Sequence, residues 1–86
     1  MSYTVEVKRS AQKDLASLPV EVRLRAIARI DRLADEPRPR DSVALKGKRR
    51  GYLRVRVGDY RVVYAVDDRA RTVSIVNVGP RESIYD

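Results

Sequence analysis

Three arginines in one short segment carry the strongest chemical signal of the sequence. Arg54, Arg56 and Arg61 lie in residues 52–64, where apolar and polar residues alternate on both sides of Gly58-Asp59. This alternation predicts two β-strands joined by a tight turn. Because strand side chains alternate between faces, the three arginines should share one face, with Arg56 opposite Arg61. Like charges in that position repel each other, which indicates a surface that binds a polyanion.

Arginine suits a phosphate partner because its planar guanidinium donates paired hydrogen bonds to phosphate oxygens. The chain has 86 residues, with 19 lysines and arginines against 12 acidic residues, and a formal charge of +7. The basic surplus lies mainly in residues 44–86, which include the arginine-rich segment. Nucleic acid is therefore the predicted class of partner, and an acidic protein is the second candidate.

Cysteine and histidine are both absent from the sequence. Their absence excludes disulfides, a thiolate nucleophile and Cys-ligated zinc, and it removes the commonest general base and metal ligand. We therefore predict neither a metal ion nor any other cofactor. The sequence has no signal-peptide pattern and no apolar run of membrane-spanning length. A cytoplasmic protein that does not contact a membrane is the expectation.

The first elements that must support the arginine-rich segment are a strand and a helix. Tyr3, Val5 and Val7 alternate with polar residues, which predicts a half-buried strand. Ser10 is predicted to cap a short helix that Pro19 ends.

A second helix is predicted from Pro19 to about Glu36. Its apolar stripe should pack on the sheet, and the arginines on the opposite side are expected to form a solvated outer face rather than an RNA contact. The stripe consists of Val20, Leu24, Ile27, Ile30 and Ala34, and the outer arginines are Arg25, Arg29 and Arg32.

Loops and a last strand complete the predicted domain. Residues 35–41 form a loop with helix breakers, residues 46–51 form a basic loop, and a turn at 67–71 precedes a final strand at 72–78. The order β-α-α-β-β-β predicts one domain over residues 1–86. Its fold class is α+β, with two N-terminal helices packed on one face of an antiparallel sheet. The other face should stay open and carry the arginines.

Several short motifs, spread over nearly the whole chain, resemble one known family in their order and spacing. They are the Tyr3-Thr-Val strand, Ala11-x-x-Asp14-Leu15-x-x-Leu18-Pro19, Glu36-Pro37-Arg38-Pro39, Leu45-Lys-Gly47, the segment 52–64 and Val78-Gly-x-Arg81-x-x-x-Tyr85. Together they resemble the RelE/ParE toxins of bacterial toxin–antitoxin pairs, and most of all the RelE-like messenger-RNA endonucleases.

This resemblance implies a ribonuclease that enters the ribosomal A site and cuts the translated mRNA there. It also implies a cognate acidic antitoxin that neutralises the toxin. Arg54 and Arg56 match the paired basic residues of the family, and Arg61 matches its phosphate-contacting arginine. Arg81 matches the basic residue that assists the leaving group, and Tyr85 matches the C-terminal tyrosine that stacks on the RNA.

The sequence departs from the pattern of these endonucleases in two respects. They often have lysine at one or both of the positions of Arg54 and Arg56, and many have a basic residue where this chain has Pro80. Arginine does not lose its proton in proteins, so neither Arg54 nor Arg56 is a conventional general base. The base stays open among Asp59, Glu82, Tyr85, a lysine and the ribosomal RNA.

The resulting hypothesis is a metal-independent cleavage in which a ribose 2′-OH attacks the adjacent phosphate. Arg54 and Arg61 are predicted to grip that phosphate, and Arg56 to lie near the 2′-OH. Arg81 would stabilise the leaving oxygen, and Tyr85 would stack on a base. The loop cations, predicted to attract RNA without sequence preference, are Lys46, Lys48, Arg49 and Arg50.

Other interpretations of the same residues stay open. In one alternative, the arginines of residues 52–64 are ordinary charges on the solvent-exposed face of a sheet. Of the aromatic residues, Tyr52, Tyr60 and Tyr64 are expected to pack in the protein rather than stack on RNA. At the level of function, the alternatives are a ParE-like toxin that poisons DNA gyrase and a noncatalytic RNA-binding member of the family.

Overall fold

The computed structural model describes residues 2–80 of the chain. Within that range neither helix is long and apolar enough to cross a membrane. The elements follow the predicted order, with a short strand added before the arginine-rich hairpin. They are β1 (Thr4–Val7), α1 (Arg9–Ser17), α2 (Val20–Arg32), β2 (Val43–Ala44), β3 (Leu53–Val57), β4 (Tyr60–Asp67) and β5 (Thr72–Pro80), with a turn of 3₁₀ helix at Gly47–Arg49.

The five strands form one sheet in the order β1-β5-β4-β3-β2. The predicted meander is confirmed, since β3, β4 and β5 pair antiparallel in sequence order. The first strand differs, because β1 pairs with β5 in parallel and makes the sheet mixed. A parallel pair needs a long crossover, and here the chain between β1 and β5 includes both helices and three strands.

The arginine-rich hairpin has the predicted register. Arg56 pairs with Arg61, and Val57 pairs with Tyr60 on either side of the two-residue turn. Gly58 has a φ of +60°, in the left-handed region. Tight hairpin turns need positive φ at this first turn position, which glycine adopts without a steric penalty.

Both helices pack on one face of the sheet, which confirms the α+β fold class. The buried cluster joins residues from the two helices to alternating residues of the three long strands. Its helical members are Ala11 and Ile30, with Leu33 just after α2, and its strand members are Val55, Val57, Val62, Tyr64, Val73, Ile75 and Val78.

The predicted apolar stripe of α2 is wrong over most of its length. Val20, Leu24 and Ile27 are 59%, 60% and 40% exposed. The helix buries the neighbouring stripe, which contains Ala26 and Ile30 and continues to Leu33 after the helix ends at Arg32 instead of Glu36. Both stripes repeat at positions i, i+4 and i+7; the small side chain of Ala26 lets the buried one approach the sheet closely.

The predicted cap of α1 is also wrong. Lys8 occupies the N-cap position and makes no side-chain capping bond. The Ser10 hydroxyl donates instead to the carbonyl oxygen of Val76, at 2.7 Å.

This contact belongs to a set that closes the edge of β5. The parallel pairing with β1 ends at Ile75, so no strand of the described part of the chain pairs with the following residues of β5 on that side. The Asp14 carboxylate accepts hydrogen bonds from the Val78 backbone N–H at 2.9 Å and from the Asn77 amide at 3.1 Å. Side chains of α1 thus satisfy backbone groups that a sheet edge would expose.

Candidate nucleic-acid interface

The face of the sheet opposite the helices carries the hairpin arginines, as predicted. We call it the arginine face and define it by Arg54, Arg56 and Arg61. These side chains lie opposite the core because their strand neighbours point into it. Read from β3 to β5, the face has two rows of paired residues, Arg54–Val63–Asn77 and Arg56–Arg61–Gly79.

The arginine face is not open throughout, so that expectation is wrong for two of its side chains. Arg54 is only 8% exposed and Arg61 only 2% exposed, whereas Arg56 is exposed. Along the sheet, Arg54 and Arg61 lie where their strands have a neighbour on both sides, while Arg56 lies beyond the last residue of β3 that pairs with β2. The alternation along β3 and β4 predicts which face the arginines share, but not how deeply each side chain is buried.

Burial changes what these two arginines can do chemically. A guanidinium whose stem is packed in the sheet has few rotamers, so its donors stay in place before a ligand arrives. Its interaction with an anion is also less screened than at an exposed site. The guanidinium groups of Arg54 and Arg61 are therefore held in fixed positions, whereas Arg56 next to them is exposed to solvent.

The basic loop before β3 forms one wall of a hollow of about 770 Å³, which we call the basic hollow. Gly47, with a φ of +65°, begins the 3₁₀ turn. Of the predicted loop cations, all but Arg50 line the hollow. Its lining residues are Lys46, Gly47, Lys48, Arg49 and Tyr52, with Ser10, Val76 and Asn77 on the other side.

Tyr52 is a residue whose position the sequence interpretation missed. It was expected to pack in the protein, but it is only half-buried and lines the basic hollow. Tyr52 directly precedes β3 and lies two residues before Arg54, the spacing of residues that share one face of a strand. This spacing is the signal in the sequence that could have identified it. The other tyrosines of the hairpin differ, since Tyr64 is fully buried in the core and Tyr60 is half-buried.

Two hydrogen-bonded anchors support the sheet from outside the arginine face. The Tyr64 hydroxyl donates to the Pro37 carbonyl oxygen at 2.7 Å, and burial raises the pKa of Tyr64 to about 12. Both terminal nitrogens of Arg38 donate to the Asp68 carboxylate at 3.1 Å, and the Tyr3 hydroxyl donates to it at 2.6 Å. The hydrogen bond from Arg38, and to a smaller extent the one from Tyr3, lowers the pKa of Asp68.

Several predicted site residues lie outside the described residues. Arg81, Tyr85 and the candidate base Glu82 belong to this group. Asp59, the other acidic candidate, is exposed in the hairpin turn. Across residues 2–80, the acidic side chains form no group of three or more that could hold a metal ion.

Known proteins resemble this chain in both sequence and fold. Residues 5–85 match the family described as ParE toxin of the type II toxin–antitoxin system parDE. Toxin RelG of Mycobacterium tuberculosis is 36% identical over 87 residues, covering 99% of this chain and 98% of RelG.

Solved toxin structures have the same fold. The toxin–antitoxin complex RelBE2 of Mycobacterium tuberculosis includes a chain with a TM-score of 0.85 and 32% identity, covering 94% of this chain and 100% of that one. The archaeal RelE–RelB complex of Pyrococcus horikoshii OT3 gives a TM-score of 0.81 and 34% identity, covering 98% and 100%. With agreement over nearly its whole length, the chain belongs to the RelE/ParE superfamily of type II toxin–antitoxin toxins.

Proposed function

We propose that this toxin is a ribosome-dependent, metal-independent mRNA endonuclease that stops translation and growth. The observation that supports this most is the pair of buried arginines, Arg54 and Arg61, beside exposed Arg56 on a face that neither helix of residues 2–80 covers. A surface that only attracts RNA has no need to keep guanidinium groups out of water. Relatives named Toxin RelG and Toxin RelE, at 36% and 32% identity, agree with this choice.

The proposed reaction is an internal transfer at one phosphate of the message. The 2′-oxygen forms a bond to phosphorus while the bond from phosphorus to the 5′-oxygen breaks, which leaves a 2′,3′-cyclic phosphate and a 5′-hydroxyl. A base takes the proton of the 2′-OH, and the 5′-oxygen gains a proton. Negative charge develops on the non-bridging oxygens, where donors from Arg54 and Arg61 stabilise it. Removing one such donor typically lowers the rate by about 10²–10³-fold.

Further residues would position the RNA and complete the proton transfers. Arg56 would hold the 2′-oxygen by donating a hydrogen bond, since arginine does not act as a base. Arg81 is proposed to stabilise the leaving oxygen, and Tyr85 to stack on a base of the message. The proton acceptor is open among Asp59, Glu82, Tyr85, a lysine and the ribosomal RNA.

The basic hollow would bind the message next to the point of cleavage. Lys46, Lys48 and Arg49 line it and would contact backbone phosphates of the strand. Tyr52 lies between these cations and Arg54 in sequence and shares the face of Arg54, so we assign it a stacking contact with a base.

An acidic antitoxin is the proposed protein partner, since two similar toxins were solved in complexes named toxin–antitoxin and RelE–RelB. We propose that an amphipathic antitoxin helix covers the exposed stripe of Val20, Leu24 and Ile27. Its acidic flank would complement the basic chain, whose formal charge is +7. Leu24→Asp should then weaken antitoxin binding strongly, whereas Ala16→Asp, at an exposed position of α1, should not. Equal affinity for the wild type and Leu24→Asp would exclude this docking site.

A ParE-like toxin that poisons DNA gyrase is the second candidate, and one observation favours it: the matched family is that of ParE toxins. Primer extension on a translated message after induction separates the candidates. The endonuclease predicts cuts within codons in the wild type, none in Arg61→Ala or Arg81→Ala, and unchanged cuts in Arg69→Ala, which alters the exposed turn before β5. Intact messages with damaged DNA would support gyrase poisoning, and the absence of growth arrest would support a noncatalytic RNA-binding protein.

A further inference from the structure

A second cationic site lies at the edge of the sheet, between α2 and the end of β3. It is a cleft of about 280 Å³, which we call the arginine cleft. The α2 arginines were expected to form a solvated outer face, but here they line the same space as an arginine of the hairpin. The lining residues are Arg25, Ala28, Arg29 and Arg32 from α2, and Arg56, Val57 and Gly58 from the hairpin.

The first of these arginines lies against the hairpin turn. A Cβ atom at Gly58 would lie 3.3 Å from the Nη2 atom of Arg25 and 3.4 Å from its Nη1 atom. The guanidinium is therefore next to the turn, and a larger residue at position 58 would displace it by a few tenths of an ångström.

A carboxylate orients the second arginine. Both carboxylate oxygens of Asp41 accept hydrogen bonds from Arg29, and this contact lowers the pKa of Asp41. The Nε–H group of Arg29 is buried, and none of residues 2–80 accepts a hydrogen bond from it. The pairing with Asp41 therefore holds the Arg29 guanidinium in one orientation beside the cleft.

The strand edge contributes a backbone donor at the wall of the cleft. Strand β2 pairs with β3 only at Leu53 and Arg54, so no strand within residues 2–80 pairs with the edge of β3 beyond Arg54. In a hairpin closed by the pair of Val57 and Tyr60, the backbone N–H of Arg56 points away from β4. It thus points outward at the edge that borders the cleft.

We propose that the arginine cleft binds a backbone phosphate of folded RNA, as a second site separate from the message strand on the arginine face. This inference rests on the proposed action on the ribosome, where folded RNA surrounds the message. Four arginines line the cleft, of which Arg29 is paired with the Asp41 carboxylate, and forked guanidinium groups fit phosphate oxygens. Arg56 belongs to both sites, so an RNA on the arginine face and one in the cleft would meet at this residue.

Helix geometry separates this site from the proposed antitoxin surface. Three stripes of α2 repeat at i, i+4 and i+7, and each points in its own direction. The core stripe is Ala26, Ile30 and Leu33, the exposed apolar stripe is Val20, Leu24 and Ile27, and the cleft stripe is Arg25, Arg29 and Arg32. We therefore assign RNA rather than an acidic peptide to the cleft.

The test compares ribosome binding by two matched double variants in an Arg61→Ala background, which prevents cleavage. Arg25→Gln with Arg32→Gln removes two charges from the cleft, and Arg40→Gln with Arg69→Gln removes two from exposed loops. We expect only the cleft variant to lose affinity for message-programmed ribosomes, by about tenfold or more. The slope of its log affinity against log salt concentration should be smaller by about 1–2. Binding to a short single-stranded RNA and to the antitoxin should match the loop control.

Each other outcome would overturn the proposal. If both double variants lost the same affinity for ribosomes, the effect would be one of overall charge. If the cleft variant lost as much affinity for single-stranded RNA as for ribosomes, the cleft would lie on the path of the message. A loss for the antitoxin alone would make it a protein-docking site. Arg25→Lys, which keeps the charge without the fork, should give an intermediate loss and controls for misfolding.

The endonuclease proposal is tested by a separate measurement, the cleavage of the message by the toxin that has Arg61 intact. If that toxin binds ribosomes through the cleft but cuts no message, the cleft proposal stands and the endonuclease proposal fails.

Discussion

Two cationic regions of this toxin differ in burial more than in charge. Arg54 and Arg61 are almost completely buried in the middle of the sheet, whereas Lys46 and Lys48 project from an exposed loop into the basic hollow. Mobile charges are sufficient to attract a polyanion. Stabilising a transition state requires donors that are fixed before the reaction begins. The difference therefore separates the proposed reacting groups from those that capture RNA.

Arg61→Ala should give the largest effect. We expect the cleavage rate on saturating ribosomes to fall by about 10²–10³-fold, because a fixed donor to the scissile phosphate is lost. Lys48→Ala, which removes a charge from the exposed loop, should leave that rate nearly unchanged. Single-turnover cleavage measures both. Similar rates in the two variants would remove the proposed distinction between the regions, and circular dichroism controls for the fold of Arg61→Ala.

Neutralising the cations of the basic hollow should lower the affinity for RNA and leave the cleavage rate at saturation nearly unchanged. In the triple variant Lys46→Gln, Lys48→Gln and Arg49→Gln, affinity for single-stranded RNA should fall by about tenfold, and the log–log salt slope should decrease by about 2 because each phosphate contact contributes about 0.7. The cleavage rate at saturation should stay close to that of the wild type. A large fall in the saturated rate would show that the hollow takes part in the chemistry.

Tyr64→Phe tests whether stability on the helix side of the sheet can change without changing the arginine face. It removes the hydrogen bond to the Pro37 carbonyl, and we expect a loss of about 1 kcal/mol in the free energy of unfolding. Urea denaturation measures this loss, and cleavage below the unfolding transition should be unaffected. If Tyr64→Phe lowered the cleavage rate as much as Arg61→Ala does, the helix side of the sheet and the arginine face would be coupled.

The smallest effect is expected for Asp68→Asn, as a change in acid stability. The folded protein lowers the pKa of Asp68 below its ordinary value of 3.8. The charged carboxylate therefore stabilises the fold above that value, and this contribution is lost as the pH falls through the folded pKa. The melting temperature of the wild type should drop more steeply below pH 3.8 than that of Asp68→Asn. Asp35→Asn, in the loop after α2, is the charge control and should behave like the wild type.

The features that followed from the sequence are local ones. The register of Arg56 with Arg61 depends on a two-residue turn and on alternation, both of which are written in adjacent residues. The pairing of Arg54 with β2 was not predicted, because β2 has only Val43 and Ala44 and no periodic pattern. On α2 several stripes have helical spacing, so tertiary packing, and not periodicity, decides which one is buried.

The candidate site shows the same limit. The arginine face followed from the alternation of β3 and β4, but the grouping of Arg56 with Arg25 and Arg32 depends on where α2 lies against the sheet. No signal along the chain links residues that far apart. The roles of Arg81 and Tyr85 stay predictions from the family resemblance.

Cleavage on purified ribosomes tests the central claim most directly. Ribosomes that hold a message with a defined A-site codon are mixed with the toxin, its Arg61→Ala variant or its Arg69→Ala control, beside the same message without ribosomes. We predict cuts within the A-site codon that leave a 2′,3′-cyclic phosphate for the wild type and Arg69→Ala, and none for Arg61→Ala or the free message. An intact message under the wild-type toxin, or equal cutting with and without ribosomes, would contradict the account.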